Sequence, residues 1–177
     1  MEGRRRRYVA VVGGAKASRP ELARAREVGR ALGEAGAVVV CGGLGGVMEA
    51  ACRGAHEAGG LTVGLLAGRE RGEANRHVDV ALPTGLGEAR NALVVAAVDA
   101  VVAVGGEYGT LAEIALALKA GIPVVGLGTW DLVRHGVADT GIVVADDPVE
   151  AAALALGLDR SGTLSRARRR KLAGGEG

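Results

Sequence analysis

The chain has 177 residues with a formal net charge of +2, 49% hydrophobic and 24% charged residues, 31 glycines, no phenylalanine, one tryptophan and two tyrosines. That length and apolar content fit one domain able to bury a core and exclude a disordered chain, while the glycines lack the every-third-residue period of collagen. The strictly apolar runs are too short to span a bilayer, and no signal-peptide stretch follows the N-terminal arginines.

In chain order, the apolar, β-branched runs Tyr8–Val12, Ala37–Cys41, Thr62–Leu66, Ala100–Val104 and Pro123–Leu127 read as strands. Each is continuous rather than alternating and is followed by glycine, the pattern of strands buried on both faces of a parallel sheet. Between them lie helical segments. Ser18-Arg19-Pro20-Glu21 reads as a capping box opening a helix to about Ala35, closed by Gly36. Met48, Ala51, Cys52 and Ala55 share one helical face. Weaker strands are expected at Val78–Leu82 and Gly141–Ala145, and helices at about Glu88–Val98 and Thr110–Ala120. Asp147-Pro148 opens a last helix as N-cap and first-turn proline. The alternation of strand and helix predicts an α/β fold, a three-layer Rossmann-like sandwich with a mostly parallel sheet. Ligands in such folds bind outside the carboxyl ends of the strands.

The charge is uneven. Arg4–Arg7 and the cluster Arg166, Arg168, Arg169, Arg170 and Lys171 supply nine cations, leaving 13 Lys/Arg against 18 Asp/Glu in residues 8–165. The chain therefore reads as a basic N-terminal tail (1–7), one ligand-binding domain (8–157) and a basic C-terminal tail (158–177). No aromatic residues accompany the tails for base stacking, so nucleic acid is not the expected partner. Cys41 and Cys52 form neither a CxxC pair nor a disulfide framework, and the scattered His56, His77 and His135 give no metal motif. A cytoplasmic location is the default expectation, with no membrane partner.

The glycines become informative by position. Gly13-Gly14, Gly42-Gly43 and Gly105-Gly106 each follow a strand and precede a helix. Such a turn lets a ligand approach the backbone N–H groups, and the helix N-terminus beyond it favours an anion. Two helices break their own amphipathic pattern. In Thr110–Ala120 the only polar side chain between Leu111 and Leu118 is Glu113, expected in the first turn and semi-buried near the Gly105–Thr110 loop. In Glu88–Val98 the lone cation, Arg90, lies at the positive end of the helix dipole, where an anionic ligand or Glu113 accounts for it. The uniformly apolar faces Leu93–Val98 and Leu111–Leu118 suggest a subunit interface. Residues 68–77 form a charged loop placed to reach over the ligand edge. With so few aromatic residues, no stacking platform for a base is legible.

The ordered set Gly42-Gly43-Leu44-Gly45-Gly46-Val47-Met48, Ala55-His56-Glu57-Ala58-Gly59-Gly60, Ala89-Arg90-Asn91 and Gly105-Gly106-Glu107-Tyr108-Gly109-Thr110-Leu111-Ala112-Glu113 resembles the Rossmann-like Lonely Guy family. Its closest likeness is to the molybdenum-cofactor-carrier-like branch, within the superfamily that includes the DNA-processing protein A. The likeness covers roughly residues 8–157. It implies binding of a phosphorylated nucleotide-like ligand and hydrolysis of the N-glycosidic bond of a nucleoside 5′-monophosphate to free base and ribose 5-phosphate. Carried over by motif, Gly105, Gly106, Gly109 and Thr110 hold the phosphate, while Glu113 and Arg90 are the catalytic pair. Gly13, Gly14, Gly42, Gly43, Gly45, Gly46, Met48, Asn91 and Tyr108 are the further candidate ligand contacts. No metal and no required cofactor are implied. The bound molecule is a nucleoside monophosphate or a molybdopterin-type ligand, and the assembly is a homodimer or a higher homo-oligomer.

Three departures mark this chain. Val104 stands where the hydrolases have proline, Glu107-Tyr108 separate Gly106 from Gly109 where they have one residue, and Asn91 replaces a lysine. The longer loop is the form associated with the carrier-like branch, so a non-catalytic carrier of a phosphorylated pterin stands beside the hydrolase as the alternative. A DNA-binding protein like the remote relatives is the third reading, resting on the basic ends. The lysine decarboxylase label sometimes given to the superfamily is rejected. The only lysines are Lys16, Lys119 and Lys171, and Lys119 serves simply as the end of a helix before Gly121.

Overall fold

A computed structural model describes residues 6–157. Most of the N-terminal tail and the whole segment from residue 158 lie outside the described residues, and with them the basic ends on which the DNA-binding reading rests.

Among the described residues nine strands and five α-helices follow one another. The strands are β1 (Tyr8–Gly13), β2 (Val38–Cys41), β3 (Leu61–Leu66), β4 (Val80–Pro83), β5 (Ala100–Val104), β6 (Val124–Leu127), β7 (Val133–Arg134), β8 (Val137–Ala138) and β9 (Ile142–Val144). The helices are α1 (Arg19–Glu34), α2 (Val47–Glu57), α3 (Asn91–Ala96), α4 (Tyr108–Lys119) and α5 (Pro148–Ala155). Seven strands form one sheet in the order β4-β3-β2-β1-β5-β6-β9, every neighbouring pair parallel. The protein is therefore an α/β fold of the expected three-layer kind. β2 and β5 are buried at every position, which explains why their sequences run apolar without alternation.

Alternate residues of the central strands feed two cores. Val9, Val11, Val39 and Val102 pack with α1, α2 and α5, whereas Ala10, Val12, Val101 and Ala103 pack with α3 and α4. The tightest helix contact is α1 against α2, where a Cβ on Gly29 would overlap the Ala51 carbonyl and one on Gly54 would overlap the Arg26 carbonyl. β1 pairs with β2 on one side and β5 on the other, so the winding of the sheet reverses between β1 and β5. That reversal opens a crevice at the carboxyl ends of β2, β1 and β5, where the Gly-Gly turns lie.

Four local expectations are corrected. The helix expected over Glu88–Val98 is a 3-10 turn (Gly87–Arg90) followed by α3. It ends at Ala96 because Asp99 must leave the helix to donate its N–H to the Tyr8 carbonyl as β5 joins the sheet. The helix expected from Thr110 begins at Tyr108, its first turn closed by Leu111 N–H on the Glu107 carbonyl, so Glu113 sits in the second turn rather than the first. The weak strands shift by one or two residues to β4 and β9. The β7–β8 hairpin was not legible. His135 and Gly136 both have positive φ, the two-residue turn hairpins prefer, but His-Gly lacks the usual Asn or Asp signal. Among the described residues no helix is long and apolar enough to cross a membrane.

Candidate functional site

The three Gly-Gly turns have different jobs. The Gly13-Gly14 and Gly45-Gly46 loops lock onto each other: Val47 N–H at the start of α2 donates to the Gly14 carbonyl (3.1 Å), and Gly46, at φ 66°, lies against the Gly14 and Ala15 carbonyls. Their glycines allow backbone to meet backbone. At α1, Ser18 and Glu21 form the expected capping box. The first turns of α1 and α2 thus have internal partners. The start of α4 differs. Like α2 it has no side-chain cap, but among the described residues no carbonyl of another loop meets its first N–H groups, and it follows Gly105 (φ 52°) and Gly106 (φ 97°), which bend the chain straight from β5 into the helix. Thr110 is buried at its third position with its hydroxyl facing Gly106. Gly109 lies exposed beside it.

One acceptor already occupies the turn before α4. The Glu21 carboxylate takes the Ser18 N–H and hydroxyl, both at 2.7 Å, and lies close enough to the Gly106 N–H to be stabilised by it. These bonds, chiefly those from Ser18, hold its pKa below the usual carboxylate range. Sequence spacing showed the cap but not this second contact, which spans the crevice.

Arg90 and Glu113 are two of only four buried polar or charged residues among those described. Each is 7% exposed. Arg90 reaches the top of β2, where its guanidinium lies flat on Gly42, so that a Cβ there would stand 2.6 Å from Cζ. Its Nη1 donates to Asn91 Oδ1 at 3.1 Å, while its Nε is buried without a partner. Glu113 comes from α4 and makes no hydrogen bond or ion pair among the described residues, although Arg90 is close enough to act on it electrostatically. Burial raises its pKa to about 7, the nearby guanidinium offsetting part of that rise. The structure therefore brings the two isolated charges of the sequence to one crevice, close but not bonded.

A thiol pair that the cysteine spacing did not announce lies at the carboxyl end of β2. Cys41 Sγ and Cys52 Sγ lie 3.4 Å apart, buried with Met48 in a separate cluster, and Gly43 N–H donates to Cys41. The bond to Cys41 and burial push the Cys52 thiol well up, so it stays protonated. Met48 is thus part of this sulfur cluster and 8% exposed. The charged loop of residues 68–77 does reach over the edge: Asn75 bonds the Gly43 and Leu44 carbonyls. Arg76 and His77 turn instead toward a groove of about 680 Å³ between α1 and α2, with Lys16, Arg26, Glu49 and Arg53. Arg26 and Arg53 are both paired with Glu57 there. Tyr108 is 79% exposed, and its ring packs on Trp130 with centroids 5.5 Å apart. The sparse aromatics thus meet at the one turn where a platform was not legible.

A parallel sheet reversing at β1/β5, with glycine turns at its carboxyl edge and a buried Arg and Glu beside an uncapped helix, defines a Rossmann-like α/β protein with a candidate ligand crevice. The chain belongs to the SLOG cluster4 family, whose profile matches residues 6–153. An uncharacterized protein of Archaeoglobus fulgidus is 39% identical over 143 residues, 81% of this chain and 90% of that one. Among solved structures, the molybdenum cofactor binding protein of the phototrophic bacterium Rippkaea orientalis is 34% identical, with a TM-score of 0.78 over 86% of this chain and 96% of its own. The molybdenum cofactor carrier protein of Chlamydomonas reinhardtii is 36% identical, with a TM-score of 0.74 over 87% and 98%.

Proposed function

We propose that residues 8–157 form a cytoplasmic binding domain for a phosphorylated heterocyclic ligand, with the phosphate at the first turn of α4. The observation that carries this reading is Arg90: a 7% exposed cation, with an orphaned Nε, within electrostatic reach of Glu113 in a helix whose N-terminus no side chain caps. A buried donor without a partner is costly, and an anion relieves that cost. The N–H groups of Tyr108, Gly109 and Thr110 and the Thr110 hydroxyl supply further donors. Gly105 and Gly106 shape the turn, with Glu21 close to the Gly106 N–H. Gly42 leaves room for the Arg90 guanidinium, Gly13, Gly14 and Gly46 let the neighbouring loops close on each other, and Asn91 steadies Arg90.

In the hydrolase form of this reading, Glu113 transfers the proton. A group titrating near 7 suits that task at neutral pH. Water attacks the anomeric carbon as the C–N bond breaks, the bonding pair leaves with the base, and the proton lost by water is carried to the leaving nitrogen. Arg90 stabilises the phosphate and sets the charge of Glu113. In the carrier form the same site holds a phosphorylated pterin without cleaving it. Similarity to two proteins described as molybdenum cofactor binding or carrier proteins, together with the two-residue Gly106–Gly109 spacer, supports this form as the alternative.

Incubation with a panel of nucleoside 5′-monophosphates, with free base measured, separates the two. Base release that is lost in Glu113→Gln while binding persists supports the hydrolase. Binding of phosphorylated pterin with no base release from any nucleotide supports the carrier. Absence of binding to every phosphorylated compound defeats both.

A further inference from the structure

The turn that leads into α4 has a second side. Beyond the carboxyl ends of β5 and β6 lies a cavity of about 350 Å³ lined in part by Gly105, Gly106 and Gly128. The Glu21 carboxylate lies over Gly105 and the Thr110 hydroxyl over Gly106. Trp130 forms one wall, held by the Tyr108 ring and by donation of its Nε1–H to the Glu107 carbonyl at 3.3 Å. Two carboxylates stand at the cavity, Glu21 and Asp131. They are not equivalent. Glu21 is used by Ser18 and Gly106, whereas Asp131 has no hydrogen bond or ion pair among the described residues. Arg24 brings its Nη1 to the same rim, 2.8 Å from where a Cβ on Gly128 would lie.

An aromatic wall suits a planar ring. The charge pattern says which edge that ring presents. An ionised carboxylate only accepts, through two oxygens side by side, so its best partner is a pair of parallel N–H donors. A 2-amino-4-oxopyrimidine ring has such an edge, its ring N–H next to the exocyclic amino group, and its oxo group is an acceptor for a guanidinium such as that of Arg24. An adenine ring sets its amino donor beside a lone-pair acceptor, which would face one carboxylate oxygen unfavourably. An oxopurine without the amino group offers only one donor.

We propose that this cavity binds the 2-amino-4-oxopyrimidine edge of the ligand, stacked on Trp130 and hydrogen-bonded to Asp131. Guanine nucleotides and pterins share this chemistry. The proposal deepens the phosphate-site reading and rests on it for the ligand's other end. The two subsites adjoin, since Gly105 and Gly106 lie between the cavity and α4. Arg90 above β2 is three strand spacings from β6, about 14 Å along the sheet edge.

Trp130 is the single tryptophan of the chain, so its fluorescence reports stacking without interference from another. The full-length protein is titrated with guanosine and inosine 5′-monophosphates, adenosine 5′-monophosphate, guanosine, and neopterin, by calorimetry and by Trp130 quenching. The expected result is binding of the guanine compounds about ten-fold tighter than their inosine and adenine counterparts, with quenching. Asp131→Asn should remove that preference without weakening inosine monophosphate, and Trp130→Phe should retain it where Trp130→Ala weakens binding. Neopterin binding tighter than guanosine assigns the cavity to pterins, and the reverse order assigns it to guanine. Equal affinities for guanine, inosine and adenine compounds, an Asp131→Asn variant with unchanged preference, or no binding at all overturns the proposal. Arg90→Ala tests the other end: it should reduce the advantage of guanosine monophosphate over guanosine while leaving guanosine itself unchanged. An equal advantage in wild type and variant would defeat the phosphate reading, with the ring preference still standing or falling on its own.

Discussion

At the scale of single residues, the site depends on charges kept from full satisfaction. Glu113 makes a distinctive thermodynamic prediction. Its pKa is about 7 in the folded chain against about 4.5 for an unfolded carboxyl, so the native state holds a proton that the unfolded state releases first. Stability from this group is greatest below about pH 4.5, declines as pH rises to about 7, and is level above. Urea denaturation should find that Glu113→Gln gains on wild type by an amount on the order of 3 kcal/mol between pH 5 and pH 8. Parallel pH profiles for the two proteins would contradict the burial argument. Gly42 offers the complementary test. Its backbone is not left-handed, so alanine suits the fold, but the new Cβ would enter the Arg90 guanidinium. Gly42→Ala should therefore lower affinity for a nucleoside monophosphate about ten-fold with little change in Tm. Calorimetric titration showing wild-type affinity would mean that Arg90 need not lie on Gly42 to bind.

At the scale of elements, the strands and main helices were legible because each carries a local signal: continuous apolar runs, glycine stops, the Ser18 box, the Asp147-Pro148 start. Boundaries failed where a tertiary bond overrode the local pattern, as when Asp99 left its helix to join Tyr8. Pairings across the crevice could not be read at all. Glu21 on Gly106, Cys41 against Cys52, and Tyr108 on Trp130 join residues whose sequence spacing implies nothing about distance. Gly29 shows the opposite case, a glycine that looks like a weak point in a helix and is required. Alanine there improves helix propensity by roughly 1 kcal/mol, yet its Cβ would overlap the Ala51 carbonyl of α2, a backbone atom that cannot move alone. Overpacking should win, with Gly29→Ala destabilising by about 1–3 kcal/mol in chemical denaturation. An unchanged or raised midpoint would show that α1 and α2 separate freely.

At the scale of the whole molecule, sheet order decides which of many glycines matter. The sequence identified three similar turns; only the fold distinguishes two loops locked together from one that opens on an uncapped helix. The α3–α4 side carries a second consequence. Leu93 and Leu116 are 41% and 36% exposed on neighbouring helices, and we propose that a second copy covers them. Sedimentation should give a dimer or larger assembly for the wild type and a smaller species for Leu116→Glu. A wild-type monomer at micromolar concentration would refute that assembly.

The central claim is that the phosphate of the ligand lies at the first turn of α4 beside Arg90. A crystal structure of the full chain with a nucleoside 5′-monophosphate tests it most directly. The expected result is phosphate oxygens on the N–H groups of Tyr108–Thr110 and on the Arg90 guanidinium. Phosphate bound instead in the basic groove between α1 and α2, against Lys16 and Arg76, with Arg90 untouched, would contradict the account.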